Sequence, residues 1–429
     1  MTDTRTSHTT DAAALPSRGY AVYVLAVLLI VYTFNFIDRI ILGVLVPAIK
    51  AEFAFTDRQL GLLGGTAFAI FYTALGIPIG WLADRFNRVW IMTAALALWS
   101  AFTAACGAAQ NFSHLFLTRL AVGVGEAGGV APAYSLIADY FPPTSRARAI
   151  GVYSFGIPIG SAMGLLFGGY IVSHVSWRAA FVVVGLAGLA LAPLLAFTVR
   201  EPARGGLDTG AAKAASPGFA QVLRVLAGKP AFWGLSFGAA CSSIVGYGFF
   251  FWLPSFFVRS YHLSLWQMSV YFGSITLVGG VAGIWCGGWL ADRLGAIRKS
   301  AFAFIPAAAL ALCIPFYVLG ALSSGASWMI AIFVIPAALS LVWLGPVISA
   351  IQHLVPPSMR AVASAIFLFI NNLIGLGLGS LIIGALSDAF AARFGTESLR
   401  YAILAGTGFY VLSAALFALS ARRLERDWE

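Results

Sequence analysis

Apolar residues run along the chain in twelve long blocks, at about 20–48, 60–81, 89–109, 113–138, 147–171, 178–199, 230–258, 265–290, 299–320, 327–353, 360–386 and 400–421. A helix needs about 20 such residues to cross the hydrocarbon core of a bilayer. The pattern therefore predicts an all-α integral membrane protein with twelve transmembrane helices. The longest polar stretch, residues 200–229, separates six blocks from six and reads as a linker. It divides the chain into a tail (1–19), an N-terminal six-helix bundle (20–199), the linker, a C-terminal bundle (230–421) and a second tail (422–429). The first tail has no apolar core and no small-residue cleavage site, so it is expected to remain as a tail rather than to act as a signal peptide.

Composition agrees. Hydrophobic residues make up 60% of the chain, charged residues 10%, and mean hydropathy is +0.90. A soluble domain carries about 25% charged residues. The net charge of +10 raises nucleic acid as a partner, but the distribution of the charge removes it. Counted by loop, 18 of the 26 Lys and Arg fall on the side that holds the N-terminus and 6 on the other. That bias places both termini in the cytoplasm. The Ala/Gly/Leu-rich composition points to a bacterial inner membrane. The four cysteines sit inside apolar blocks with no C-x-x-C spacing, which supports neither a metal site nor a disulfide framework. No phosphate-binding loop or nucleophile elbow occurs, so no enzyme chemistry or bound cofactor is expected, and energy would come from an ion gradient.

One charged hexapeptide occurs twice. GWLADR spans Gly80–Arg85 and Gly288–Arg293, 208 residues apart, each time at the cytoplasmic end of the second block of its half. A weaker echo, FPPTSR ending at Arg146 and VPPSMR ending at Arg360, lies 214 residues apart between the fourth and fifth blocks. Two six-helix halves related by a parallel repeat account for both.

These motifs resemble the major facilitator superfamily, whose signature after the second span is a Gly, then Asp-Arg, then further basic residues. The chain matches with Gly80, Asp84, Arg85 and Arg88, and again with Gly288, Asp292, Arg293, Gly295, Arg298 and Lys299, although Asn87 stands where a Gly is usual. The resemblance implies a latch that holds one conformation. Its expected members are Gly80, Asp84, Arg85, Arg88, Asp139, Arg146, Arg148, Asp292 and Arg293. Arg146, Arg148 or a helix N-terminus are the expected partners of Asp84. Positive-inside anchoring alone would explain the basic residues but not the repeated Asp.

Four ionisable residues lie inside spans. FNFIDR puts Asn35, Asp38 and Arg39 on one face of the first, and TRLAVGVGEAGG puts Arg119, Gly123 and Glu126 on one face of the fourth. Each charge at mid-bilayer costs roughly 2.5–3.5 kcal/mol on insertion scales, so two acids and two bases at similar depth are expected to pair. A purely structural ion network is the plain alternative, but buried pairs add little stability. Asp38 and Glu126 are therefore the expected proton-coupling pair, with Arg39 and Arg119 tuning them or holding an anion. The superfamily's Arg-x-x-x-Gly-x-Gly pattern is matched by Arg119, Gly123 and Gly125.

NFIDR, the Gly-x-Gly-Glu run and GWLADRFNR together resemble the spinster branch of that superfamily. This implies a transporter of a lysolipid-like amphipathic anion. A monomer is expected, with the bilayer and protons as its other partners; the paired carboxylates beside arginines favour protons, with sodium as the alternative coupling ion. A transporter of a small organic anion or drug is the alternative, and an uncoupled scramblase or receptor-like protein is another. In the second half no charge falls near mid-span, and Ser243, Tyr247, Ser340, Ser349, Asn371 and Asn372 are the polar candidates. Each Phe of the Phe250–Trp252 stretch, taken singly, reads as facing lipid. Gly156, Gly160, Gly164 and Gly168 form a small-residue stripe suited either to sliding against the other half or to packing within one.

Overall fold

The structure, a computed structural model, describes residues 17–204, 219–323 and 326–428, and these are helical with no strand among them. Residues 1–16 of the expected tail and 205–218 of the expected linker lie outside the described residues. Helices long and apolar enough to cross a membrane run over Arg18–Phe53, Asp57–Ala83, Arg88–Cys106, Phe112–Tyr140, Arg148–His174, Trp177–Thr198, Pro230–Tyr261, Leu265–Gly295, Ala301–Leu322 and Ala331–His353 (spans 1–10). The last stretch, Val362–Asp427, turns back at Gly395. There Gly395 pairs a φ of +54° with a ψ of −125°, a combination that glycine takes without strain, and residues 360–394 and 398–427 become spans 11 and 12.

Side-chain caps set many of the starts. Asn87, Asn111 and Ser176 accept from the backbone three residues on, and Thr56 with Gln59 forms a capping box, as does Ser264 with Gln267. Within the first half, span 1 packs on 5, 2 on 4 and 3 on 6. Within the second, 7 packs on 11, 8 on 10 and 9 on 12. The repeat glimpsed in the hexapeptide is thus a repeat of architecture.

The Tyr20 hydroxyl donates to the Thr198 carbonyl at 2.8 Å and accepts from the Arg200 amide, and Lys229 Nζ donates to the Asp427 carbonyl at 2.8 Å. Spans 1, 6, 7 and 12 therefore end at one face, called here the terminal face. The opposite one is the far face. The halves meet along spans 1 and 7, 2 and 11, and 5 and 8. Spans 2 and 11 each widen into a π-turn, at Leu62–Thr66 and Asn372–Leu376. Just there Thr66 Oγ1 donates to the Gly377 carbonyl (2.6 Å) and Ser380 Oγ to that of Gly61 (2.8 Å).

Packing decides two expectations. The glycine stripe of span 5 lies against span 1, where Tyr32, Thr33, Phe36 and Ile37 fill the space a Cβ would need, so it closes one half rather than sliding on the other. The Phe250–Trp252 run does not face lipid. Trp252 is fully buried with Nε1 donating to the Ser380 carbonyl at 2.8 Å, and Phe251 sits against Gly43 and Gly64 of the first half. The apolar run belongs to the seam between halves.

Candidate functional site

The ionisable residues of spans 1 and 4 come together in the middle of the first half. Arg39 Nε donates to Glu126 Oε2 at 2.6 Å, and Arg119 Nη1 stands 3.6 Å from Asp38 Oδ1. Glu126, Arg119 and Asp38 are at most 2% exposed, while the Arg39 side chain is 12% exposed, so Arg39 alone can be reached. Its guanidinium lies over the rings of Tyr72 (4.5 Å), Phe68 (5.0 Å) and Phe36 (5.3 Å), and that of Arg119 lies 5.7 Å from Phe68. Such faces favour a cation where water is scarce. Asn35 is buried beside them.

The glycines of the fourth span explain the geometry. A Cβ at Gly123 would strike the Phe68 carbonyl of span 2, and one at Gly125 would come within 2.6 Å of the Trp99 amide of span 3. Span 4 can nest between those helices only because both positions lack a side chain. That nesting also brings Thr103 of span 3 onto Asp38, to whose Oδ2 its hydroxyl donates.

The second half contributes polar rather than charged groups. Asn371 is buried and accepts from Ser243 Oγ at 2.8 Å. Asn372 opens the π-turn of span 11. Tyr247 of span 7 is half-exposed and within electrostatic range of Arg39. Among the described residues no group of three His, Cys, Asp or Glu is arranged to hold a metal.

At the terminal face the expected latch residues divide between a buried hub at Arg88 and exposed positions such as Asp84, Arg148 and Asp292. Arg88, only 1% exposed, donates to Asp139 Oδ2 (2.5 Å), Glu201 Oε1 (2.6 Å) and Ser135 Oγ (2.7 Å). The pairing expected between Asp84 and Arg146 or Arg148 is absent among the described residues. Arg146 instead donates to the Ala138 carbonyl at 2.7 Å, Arg148 is exposed, and Asp84 is exposed. Arg204 of the linker binds the carbonyls of Ala83, Asp84 and Phe86. Glu201 accepts from the amides of Arg88 and Val89 at 2.9 and 3.2 Å. Linker residues thus place an acid on the N-terminus of span 3 and a base on the C-terminus of span 2, as the helix dipoles favour. Both hexapeptides stack their Arg on their Trp, although the helix ends at Ala83 in the first and runs on to Gly295 in the second. Arg85 stacks on Trp81 at 3.8 Å and Arg293 on Trp289 at 4.5 Å, with Asp84 and Asp292 exposed between them. Cβ atoms at Gly80 and Gly288 would meet open space.

The far face holds a network that the sequence reading missed. Asp57 is 2% exposed and receives both Arg259 nitrogens (2.7 and 2.8 Å), Ser387 Oγ (2.7 Å) and Lys50 Nζ (2.5 Å). Asp388 accepts from the Asp57 and Arg58 amides at 3.0 and 2.8 Å, so one half caps the first turn of the other half's helix. A cavity of about 380 Å³ opens beside this network. Among the described residues every hydrogen bond between halves lies at this face or at the level of the π-turns. Among the described residues the halves are therefore joined by hydrogen bonds at the far face and by none at the terminal face.

Known proteins share this layout. The sequence profile of the Major Facilitator Superfamily matches residues 28–380. An "MFS-type efflux pump" of Mycolicibacterium smegmatis is 32% identical over 413 residues, 96% of this chain and 95% of that protein. Protein spinster homolog 1 of Bos taurus is 30% identical over 443 residues, 96% of this chain and 82% of the relative. The crystal structure of a bacterial homolog to the human lysosomal transporter spinster, inward-facing and unoccupied, superposes with a TM-score of 0.88 at 33% identity. It covers 96% of this chain and 99% of that one. The occupied inward-facing form of that homolog gives 0.85. The chain belongs to the Major Facilitator Superfamily of transporters and within it resembles the spinster branch.

Proposed function

We propose that the protein is a proton-coupled secondary transporter of an amphipathic anion, a lysolipid-like molecule, working by alternating access as a monomer in a bacterial cell membrane. Both termini lie in the cytoplasm in this reading, in keeping with the 18 to 6 division of basic residues between faces. The terminal face is then cytoplasmic and the structure is open inward.

The observation that carries the proposal is the Arg39–Glu126 pair. Arg39 is the exposed member of a buried network, and its one short ionic partner is a carboxylate from another span. An anionic head reaching Arg39 competes with Glu126 for the same guanidinium. Protonating Glu126 frees Arg39 for the anion, and a bound anion favours protonated Glu126. The two affinities rise together, as linkage requires. Asp38 and Arg119 repeat the arrangement one layer deeper, out of the anion's reach. The aromatic faces around Arg39 offer an apolar bed for the chain attached to the head. No bound cofactor is needed. A charge crossing about 100 mV supplies roughly 2.3 kcal/mol, enough for about fifty-fold accumulation.

Flux in proteoliposomes tests this. With an imposed pH gradient the wild type is expected to accumulate lysophospholipid against its gradient, and Asp38→Asn and Glu126→Gln to do no more than equilibrate it. Wild-type flux that ignores pH would remove the coupling role of the carboxylates. The similarity to an efflux pump favours a second reading, a small organic anion or drug as cargo, and a short-chain carboxylate run in the same assay separates the two.

A further inference from the structure

In this chain's membrane helices a hydroxyl ordinarily bonds back to the carbonyl four residues earlier. Thr33 bonds to Leu29, Thr93 to Val89, Thr118 to His114 and Thr198 to Leu194 in this way. Thr103 does not. It is fully buried in span 3, and its hydroxyl passes over the Trp99 carbonyl of its own helix to donate to Asp38 of span 1. A carboxylate is the stronger acceptor, since charge-assisted hydrogen bonds are roughly twice as strong as neutral ones. The choice is therefore conditional on Asp38 being ionised.

The geometry points to Thr103 as a positioning residue for the proton site, a hydroxyl rotor that donates to Asp38 when it is charged and returns to the Trp99 carbonyl when Asp38 takes up a proton. This rests on the proposed coupling role of Asp38. In the protonated state the new Asp38 O–H donates to Thr103 Oγ1, and the Thr103 proton points to Trp99. No covalent bond changes apart from the one that the arriving proton forms. The other groups facing Asp38 are Arg119 and Glu126 from span 4, Arg39 from span 1 and Cys106 from span 3, whose Sγ lies 3.2 Å from Thr118 Oγ1. Among these, Arg119 Nε and Nη1 and Asp38 Oδ1 are buried without a hydrogen bond. Thr103 is thus the hydrogen-bond donor that orients the carboxylate. Trp99, at the other end of the swing, packs against Gly125 of span 4.

The test is an infrared titration of the purified full chain, with the Asp38 carboxylic acid band assigned by difference against Asp38→Asn. Removing the hydroxyl in Thr103→Val is expected to move the midpoint of the band to higher pH by about one unit, because the ionised form loses its donor. Thr103→Ser is expected to restore it, and Thr103→Ala gives a second hydroxyl-free variant should Val not fold. Coincident titrations of wild type and Thr103→Val would overturn the assignment, and so would equal shifts in Val and Ser, which mean packing alone. A shift in Val with rescue by Ser, in a protein whose flux ignores pH, would keep Thr103 in its role and discard the coupling reading. A band that does not titrate in the wild type would discard both.

Discussion

At the far face Asp57 draws in Arg259 and Ser387 from the other half, whereas at the terminal face Arg88 draws in Asp139 and Glu201 from its own. Both are buried ionic hubs with three or more partners, yet they act on different equilibria. Breaking the first loosens the seam between halves. Breaking the second loosens one half and leaves the seam alone. The exposed Asp84 and Asp292 with their Trp-stacked arginines are committed to neither. The contrast shows where the state seen here is stabilised: closure is concentrated at one face, while the other face keeps its repeated charges uncommitted across the seam.

The largest expected effect lies at the terminal face and falls on stability. Arg88→Met would strip two poorly exposed carboxylates of their guanidinium and cost about 3–4 kcal/mol. The melting temperature should fall by about 5–10 °C while spin-label distances between the halves stay put. A change in those distances without a loss of stability would erase the distinction between the two hubs.

Next comes Asp57→Asn. Arg259 and Lys50 keep 20% and 34% of their side chains exposed, so water relieves part of the loss and about 2 kcal/mol remains. That should shift the balance between far-closed and far-open forms roughly thirty-fold, read as longer distances between labels on the far ends of spans 2 and 11. Unchanged distances would mean that the π-turn contacts of Thr66 and Ser380 hold the seam by themselves.

How far the sequence foretold these hubs depends on reach. The buried cluster of spans 1 and 4 was legible because Asp38, Arg39, Arg119 and Glu126 obey helical spacing and a charge inside an apolar block demands a partner. Thr103 was not, since a threonine in a membrane helix satisfies itself on its own backbone by default. The far-face hub pairs residues 331 positions apart, and nothing local marks Asp388 as the cap of another helix. The one local sign was the Thr56–Gln59 capping box, which marks a helix start beside Asp57. Glu201 and Arg204 read as linker charges, and only the fold shows them closing both helix ends of the loop that carries the first hexapeptide. The repeat was plain in the letters, but the partner of its Asp was not, because Arg204 arrives at its backbone rather than at its carboxylate.

The smallest effect in this state tests what the uncommitted charges are for. Asp84 is exposed and has no ion pair among the described residues, so Asp84→Asn should change stability by less than about 0.5 kcal/mol. Under the proposed alternating access its consequence belongs to the opposite state, which the Asp57 network at the far face opposes. The informative variant therefore carries both changes together, since coupled sites reveal themselves as departures from additivity. In an Asp57→Asn background the terminal face should close more often. If Asp84 then finds a partner across the seam, adding Asp84→Asn should return label distances at the terminal ends of spans 2 and 11 toward the open value seen here. Distances indifferent to Asp84 in that background would reduce the repeated hexapeptide to a topological anchor. The Trp-stacked arginines would then be the part of it that matters.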